Sequence, residues 1–112
     1  MSAITTHVLD TSRGCPAAGL RVELHVKSGT QWKPLGADVT DANGRCNTLL
    51  GEQKLLAGSY RLLFDAGSYY RVQNTETFYS VIPIVFEIVR PEAHYHVPLL
   101  ISPFGYSTYR GN

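Results

Sequence analysis

The sequence predicts an all-β protein, a two-sheet β-sandwich of seven to eight short strands with one short helix. Three observations predict it. Short runs of alternating apolar and polar residues recur along the chain, β-branched and aromatic residues are frequent in them, and clusters of turn-forming residues separate them. Because no repeat, low-complexity segment or linker interrupts this pattern, we expect a single domain over residues 1–112.

The individual elements follow from this alternation. The predicted strands cover residues 4–10, 20–26, 32–40, 59–64, 83–89 and 94–101, with a further strand after Gly105. The segment 65–75 is predicted to be helical, because Asp65 or Ser68 can cap it and apolar positions follow at helical spacing. The segment 49–58 is predicted to be a polar, turn-rich connection, and His25 should be a solvated residue on the outer face of its strand.

Composition excludes several classes of function. The chain is 44% hydrophobic and 11% aromatic, as expected of a compact fold, and its formal net charge is +1. Because Lys and Arg form no cluster, we expect no nucleic-acid partner. No apolar run approaches the about 20 residues of a membrane span, and the start lacks the pattern of a signal peptide, so we expect a soluble, cytoplasmic protein.

The two cysteines, Cys15 and Cys46, lie near predicted loops and turns. Nothing else indicates an oxidising compartment, so free thiols are the favoured interpretation. A cysteine–histidine nucleophile is the alternative, but no base is placed beside either thiol in the sequence.

Histidines on two predicted strands are the first candidates for chemistry. In an extended chain, His94 and His96 share one face, and the other face carries the apolar row Tyr95, Val97, Leu99 and Ile101. The apolar row should be the core side, which leaves both histidines on the outside. By the same alternation His7 faces away from Asp10, so Asp10 is not its carboxylate partner. An imidazole near neutral pKa suits general acid–base work on a bound water.

The residues could form two other kinds of site. A serine nucleophile at Ser102 is excluded, because about 20 Å of extended chain separates it from His96. A zinc site is the stronger rival: His94 and His96 at i and i+2, with His7, have ligands compatible with catalytic zinc. Zinc-dependent hydrolysis therefore remains an alternative.

Three motifs resemble one family. Residues 4–10, ITTHVLD, resemble a first strand; 41–45, DANGR, resemble an Asp-x-x-Gly-Arg turn; and HYHVPLLISP from His94, followed by Tyr109, Arg110 and Gly111, resembles a C-terminal signature. All three are similar to the transthyretin-like family, in its 5-hydroxyisourate hydrolase branch. They occur in the family's order and spacing, so the resemblance covers nearly the whole chain.

The resemblance implies a prealbumin-like sandwich assembled as a homotetramer, a dimer of dimers, with the sites where the dimers meet. It implies hydrolysis of 5-hydroxyisourate to 2-oxo-4-hydroxy-4-carboxy-5-ureidoimidazoline, in urate breakdown, without metal or cofactor. Carried over to this chain, His7 and His96 would activate water, and Arg45 would bind substrate and stabilise negative charge. Tyr109 and Arg110 would close the pocket.

One residue departs from the family pattern. The signature ends in serine, whereas this chain has Asn112, which can form hydrogen bonds but has no hydroxyl for proton transfer. We place Asn112 among the catalytic candidates and expect the protein to be active. The alternatives to this hydrolase are a transthyretin-like carrier of small ligands, a zinc-dependent cyclic amidohydrolase and a structural sandwich without a site. Carriers of this class lack the two histidines, the arginine and the Tyr-Arg-Gly ending.

Overall fold

The computed structural model describes residues 3–112. The elements in chain order are β1 (Ile4–Asp10), β2 (Cys15–Pro16), β3 (Arg21–Ser28), β4 (Gln31–Val39), β5 (Arg45–Cys46), β6 (Gly58–Asp65), α1 (Ala66–Arg71), β7 (Val81–Ile88), β8 (Tyr95–Ser102) and β9 (Gly105–Thr108). Within the described residues there are thus nine strands, two of them only two residues long. The seven longer strands match the predicted seven to eight, and the predicted all-β class with one short helix is confirmed.

The strands form two sheets. One sheet has the order β2-β1-β8-β9, with β5 also paired to β1, and the other has the order β4-β3-β6-β7. β1 and β8 are parallel neighbours, whereas the other neighbours run antiparallel. The parallel pairing places Thr5 opposite His96 and His7 opposite Pro98. Residues near the two ends of the chain therefore meet at the centre of the first sheet.

Alternate side chains of both sheets meet in one core, as the sequence pattern predicts. Val8, Leu24, Leu62, Phe64 and Leu99 have no exposed surface. The apolar row of β8 is buried as expected, comprising Tyr95, Val97, Leu99 and Ile101. The connection before β6 was expected to be polar, and that expectation is wrong for three of its leucines: Leu49, Leu50 and Leu55 are buried in the same core.

A buried carboxylate fastens the helix to the first sheet. Asp10, at the end of β1, has no exposed surface and accepts hydrogen bonds from the hydroxyls of Tyr69 (2.9 Å) and Tyr70 (3.1 Å). It also accepts from the backbone N–H and the hydroxyl of Ser12. Because Asp10 points into the core, His7 lies on the opposite face of β1, as the alternation predicts.

The helix is shorter than the predicted segment 65–75. Asp65 is its N-cap and accepts a hydrogen bond from the backbone N–H of Ser68, so the predicted cap is confirmed. The helix ends at Arg71, and Asn74 adopts a left-handed conformation with φ of 54°. Val72, the apolar residue that suggested a longer helix, is 85% exposed. Without a surface on which to bury it, further turns gain nothing from packing.

Two single residues also bear on the sequence analysis. His25 is buried, not solvated, because Arg61 donates to its Nδ1 at 3.0 Å and Glu23 lies 3.1 Å from its Nε2, so neighbouring long side chains cover the ring. Pro98 lies where the pairing of β8 is interrupted, between the β9 ladder and an isolated bridge from His96 to Gly111. A residue without N–H is tolerated there.

Two expectations concern the chain's start and surroundings. The residues that argued against a signal peptide include Met1 and Ser2, which lie outside the described residues. Among residues 3–112, no helix is long and apolar enough to cross a membrane.

Candidate functional site

Three of the predicted site residues lie together on the outer surface of the first sheet. His7 and Arg45 are direct cross-strand partners on β1 and β5, so their side chains share a face. His96 on β8 is opposite Thr5, two residues before His7, and therefore lies on that same face. We call this surface, formed by Thr5, His7, Arg45 and His96, the histidine face. Three strands distant in sequence build it.

The turn before β5 positions Arg45. The carboxylate of Asp41 accepts hydrogen bonds from the backbone N–H groups of Asn43 and Arg45, both at 2.9 Å. Gly44 adopts a φ of 76°, and a Cβ there would clash with the carbonyl oxygen of Val8. Glycine is thus required on both counts, and the turn holds Arg45 beside His7.

Arg45 is exposed and, within residues 3–112, has no ion-pair partner. No hydrogen bond to its guanidinium is made by the described residues either, so these donors are free to bind a ligand. A fixed cation with free planar donors is suited to binding a carbonyl-rich or anionic ligand.

The ring of His7 is fixed by the same turn. Its Nε2 lies 2.9 Å from the carbonyl oxygen of Asn43. A carbonyl can only accept, so His7 donates from Nε2, and in the neutral ring Nδ1 is left as the acceptor. His7 can therefore take a proton from a bound water at Nδ1.

His96 is half-buried and contacts Thr5, whose hydroxyl oxygen is 2.8 Å from its Nδ1. Burial lowers the pKa of His96, and the positive charge of Arg45 lowers it further, followed by His7 and His94. A hydrogen bond with the backbone of Thr5 opposes this shift. The result is a ring that is neutral at pH 7, which is the state in which an imidazole can accept a proton or donate from one nitrogen.

The C-terminal residues are hydrogen-bonded to the same histidine and pack against it. The backbone N–H of Gly111 donates to the carbonyl oxygen of His96 at 2.8 Å. A Cβ on Gly111 would lie 2.7 Å from Cδ2 of His96 and 3.1 Å from Cγ of Pro98. Gly111 therefore packs against the imidazole, and Asn112, the next residue, is exposed.

Tyr109 and Arg110 lie elsewhere in this chain. They line a cleft of about 210 Å³ between β7 and β8, whose walls include Tyr95 and Val97 from the core side of β8. The guanidinium of Arg110 stacks on the ring of Tyr95, 4.5 Å from its centre. Within one chain, this cleft and the histidine face are on opposite sides of β8.

Metal binding has little geometric support in the described part of the chain. No three His, Cys, Asp or Glu side chains of residues 3–112 are grouped so that they could hold an ion. Nε2 of His7 and Nδ1 of His96 already have partners. Cys15 and Cys46 are free thiols, as expected, and are not among the residues that form the histidine face.

Two residues of the site were not identified from the sequence. Thr5, which is 3% exposed, lies between His94 and His96, and Asn43 holds His7 through its backbone carbonyl. The alternation of β1 places Thr5 on the face of His7, and that signal could have found it. The contact of Asn43 is made by its backbone, so no residue type could have indicated it.

Fold and site together define a small β-sandwich with a polar cluster of two histidines and one arginine on the outer face of one sheet. The chain belongs to the HIUase/Transthyretin family, whose model matches residues 4–111.

Known relatives and solved structures agree with this membership. The chain is 48% identical to a 5-hydroxyisourate hydrolase of Mesorhizobium japonicum, over 97% of this chain and 91% of the relative. The solved 5-hydroxyisourate hydrolase of Klebsiella pneumoniae matches with a TM-score of 0.87 and 38% identity, over 100% of both chains. Sea bream transthyretin in complex with thyroxine matches with a TM-score of 0.90 and 34% identity, over 97% of this chain and 94% of that one.

Proposed function

We propose that this protein is a 5-hydroxyisourate hydrolase, which opens the cyclic amide of its substrate to give 2-oxo-4-hydroxy-4-carboxy-5-ureidoimidazoline in urate breakdown. The observation that carries the proposal is the meeting of His7, Arg45 and His96 on one face, contributed by three separate strands. Relatives with 40–48% identity over nearly the whole chain include hydrolases of this name. The protein is accordingly a hydrolase that acts on a carbon–nitrogen bond.

The reaction needs a base, a stabilised oxyanion and a proton for the leaving nitrogen. A water held between His7 and His96 loses a proton to an imidazole, and its oxygen adds to the amide carbonyl carbon. The carbonyl electrons move onto the oxygen and return as the ring C–N bond breaks. The departing nitrogen takes the proton from the imidazolium, so the histidines end as they began.

Arg45 stabilises the negative charge in this scheme. As the carbonyl becomes tetrahedral, its oxygen gains charge that free guanidinium donors can bind. Because Arg45 has no ion-pair partner among the described residues, these donors need not first leave a carboxylate. The same charge helps to keep the pKa of His96 low and its ring available in the neutral form.

The C-terminal residues are assigned roles by proposal. Asn112 would take the position of the family's serine, contributing hydrogen bonds but no hydroxyl. Tyr109 and Arg110 would close the pocket; because Arg110 stacks on Tyr95, it would have to rotate off that ring or act at a site on a neighbouring subunit. Replacing Asn112 by serine tests the first role, and unchanged kcat and KM would remove this position from the mechanism.

We further propose a homotetramer, a dimer of dimers, with the sites at the dimer–dimer interface. His7, Arg45 and His96 lie on a sheet surface, and a second copy facing it would supply the opposite wall and exclude water. The edge strand β7 also exposes Val81 and Val85 by 54% and 58%, which suits further contact between copies. Sedimentation of the purified chain tests the assembly. A single domain over 1–112 and a cytoplasmic location complete the proposal.

The deciding experiment follows the decay of 5-hydroxyisourate, generated in place by urate oxidase, by ultraviolet absorbance. The protein should accelerate the decay, and chelator treatment should not change the accelerated rate. His7→Ala and His96→Ala should each lose about 10² to 10⁴ in rate, the usual contribution of a positioned acid or base. Arg45→Gln should lose most activity, whereas Arg21→Gln, which removes the same charge from the other sheet, should lose none.

Each other outcome has a meaning. Loss of rate after chelation would favour the zinc-dependent alternative. No acceleration by the unaltered protein would refute the hydrolase and favour a carrier of small ligands, the alternative to which the likeness with sea bream transthyretin points.

A further inference from the structure

The hydroxyl of Thr5 differs in its hydrogen-bond partners from the neighbouring threonine hydroxyls of the first sheet. Three threonines occur on or just after β1, and two of them donate to backbone carbonyls of β8: Thr6 to Val97 at 2.6 Å, and Thr11 to Ile101 at 2.9 Å. The hydroxyl of Thr5 instead contacts two imidazoles, Nδ1 of His96 at 2.8 Å and Nε2 of His94 at 3.3 Å. Within residues 3–112 it has no carbonyl partner.

A hydroxyl has one hydrogen, so it can donate to one of these rings and must accept from the other. The contact with His96 is the shorter, and His96 is half-buried. His94 is exposed and at longer range, and its ring can turn its N–H toward Thr5 or toward water. The geometry therefore favours donation from Thr5 to Nδ1 of His96 and acceptance from Nε2 of His94.

We propose that Thr5 is a positioning residue that fixes the orientation and the tautomer of His96, so that His96 presents an Nε2–H donor to the substrate. Thr5 itself is 3% exposed and does not touch substrate. This inference deepens the hydrolase function proposed above and rests on it. It extends to His94, whose ring completes the hydrogen bonds of the Thr5 hydroxyl.

The consequence is a division of labour between the two histidines. His7 donates from Nε2 to the carbonyl of Asn43, so its Nδ1 is the acceptor, whereas His96 has its acceptor occupied by Thr5. His7 is then the base: it takes the proton of the attacking water at Nδ1 and delivers it to the departing nitrogen. His96 stays neutral and donates a hydrogen bond to the water or the developing oxyanion, with no net proton transfer.

The surroundings of His96 keep its ring neutral. Arg45 from β5, His7 from β1 and His94 before β8 are the charged or titratable groups that act on it, and each of them opposes a positive charge on His96. Burial acts in the same direction. A neutral imidazole has two tautomers, so something must select between them, and the hydroxyl of Thr5 is in contact with Nδ1.

The test compares Thr5→Val, which keeps the shape and removes the hydroxyl, with Thr5→Ser, which restores it. Thr6→Val is the matched control, since it removes a neighbouring hydroxyl of the same strand that contacts no histidine. Thr5→Val should lower kcat about tenfold, the worth of roughly one hydrogen bond, with KM little changed. Thr5→Ser should return kcat to near the original value, and Thr6→Val should leave it unaltered.

Nitrogen-15 spectra of the imidazoles give a second readout that does not depend on turnover. In the unaltered protein near pH 7, His96 should carry its hydrogen on Nε2, and in Thr5→Val this preference should be lost. A hydrogen on Nδ1 of His96 in the unaltered protein would overturn the inference, even if Thr5→Val failed to fold. Equal kcat for Thr5→Val and Thr6→Val would overturn it as well. Failure of the unaltered protein to hydrolyse 5-hydroxyisourate would instead refute the proposed function and leave the tautomer measurement valid.

Discussion

Replacing Gly111 by alanine is the most direct test of the contact between the chain end and the histidine face. The new Cβ would lie 2.7 Å from Cδ2 of His96, about 0.7 Å inside the 3.4 Å at which ordinary contact begins. The β-carbon cannot move toward Pro98, whose Cγ would be at 3.1 Å. Either the imidazole or the C-terminal strand must therefore shift by several tenths of an ångström.

The effect should fall on catalysis more than on folding. Misplacement of a reacting group by about 1 Å can cost about 10²-fold, so a shift of this size should lower kcat by about 10- to 100-fold. Gly111 lies at the edge of the sheet next to the chain end, so we expect the urea midpoint to change little. Hydrolysis of 5-hydroxyisourate and urea unfolding are measured on the same preparation.

Gly105→Ala is the matched control. It adds the same methyl group to the same C-terminal segment, but the nearest atom, Oγ of Ser102, would be 3.8 Å away, which is ordinary contact. Its kcat should equal that of the unaltered protein. If Gly111→Ala had the same kcat as Gly105→Ala, the reasoning that the chain end holds the imidazole of His96 in place would be refuted.

Four further predictions concern acid, thiols and the helix. Because the pKa of His96 is lowered, its neutral form persists below the usual value of about 6.5; a nitrogen-15 titration of its ring should have its midpoint below that pH, and a midpoint above it would contradict the assignment. The same shift means that the unfolded chain binds this proton more readily, so His96 should reduce stability as pH falls through 6.5, an effect absent from His96→Ala. Burial, reinforced by nearby negative charge, raises the pKa of Cys46 to about 11. A thiol reagent at neutral pH should therefore label one thiol per native chain, at Cys15, and two after unfolding. Labelling of both thiols in the native state would count against the buried position of Cys46. Asp65→Ala removes the helix cap and should lower the free energy of urea unfolding by about 1 kcal/mol. Glu76→Ala, which removes an exposed carboxylate that caps no helix, should leave this free energy unchanged. Equal losses in the two variants would argue against the cap.

Local pattern accounts for much of what the sequence predicted. Alternation assigned the buried row of β8 and the outward direction of His7, because side chains of a strand change face at every residue whatever the strand pairs with. It failed for His25, where Arg61 and Glu23 from the same surface cover an outward ring. Helical spacing failed at the end of the helix, where Val72 is 85% exposed and gains nothing from packing. Exposure of an outward residue depends on its neighbours across the sheet, which local pattern does not contain.

By itself, the sequence determined the all-β class, the Asp41 turn that requires Gly44, and the family, through three short motifs. Those features depend on residues close together in the chain. Only the tertiary structure decided that β1 and β8 pair in parallel, which sets Thr5 beside His96, and that β5 adds Arg45 to His7. Register between distant strands is fixed by the packing of the whole core, and a slip of one residue in β1 or β8 would turn the site histidine of that strand toward the interior.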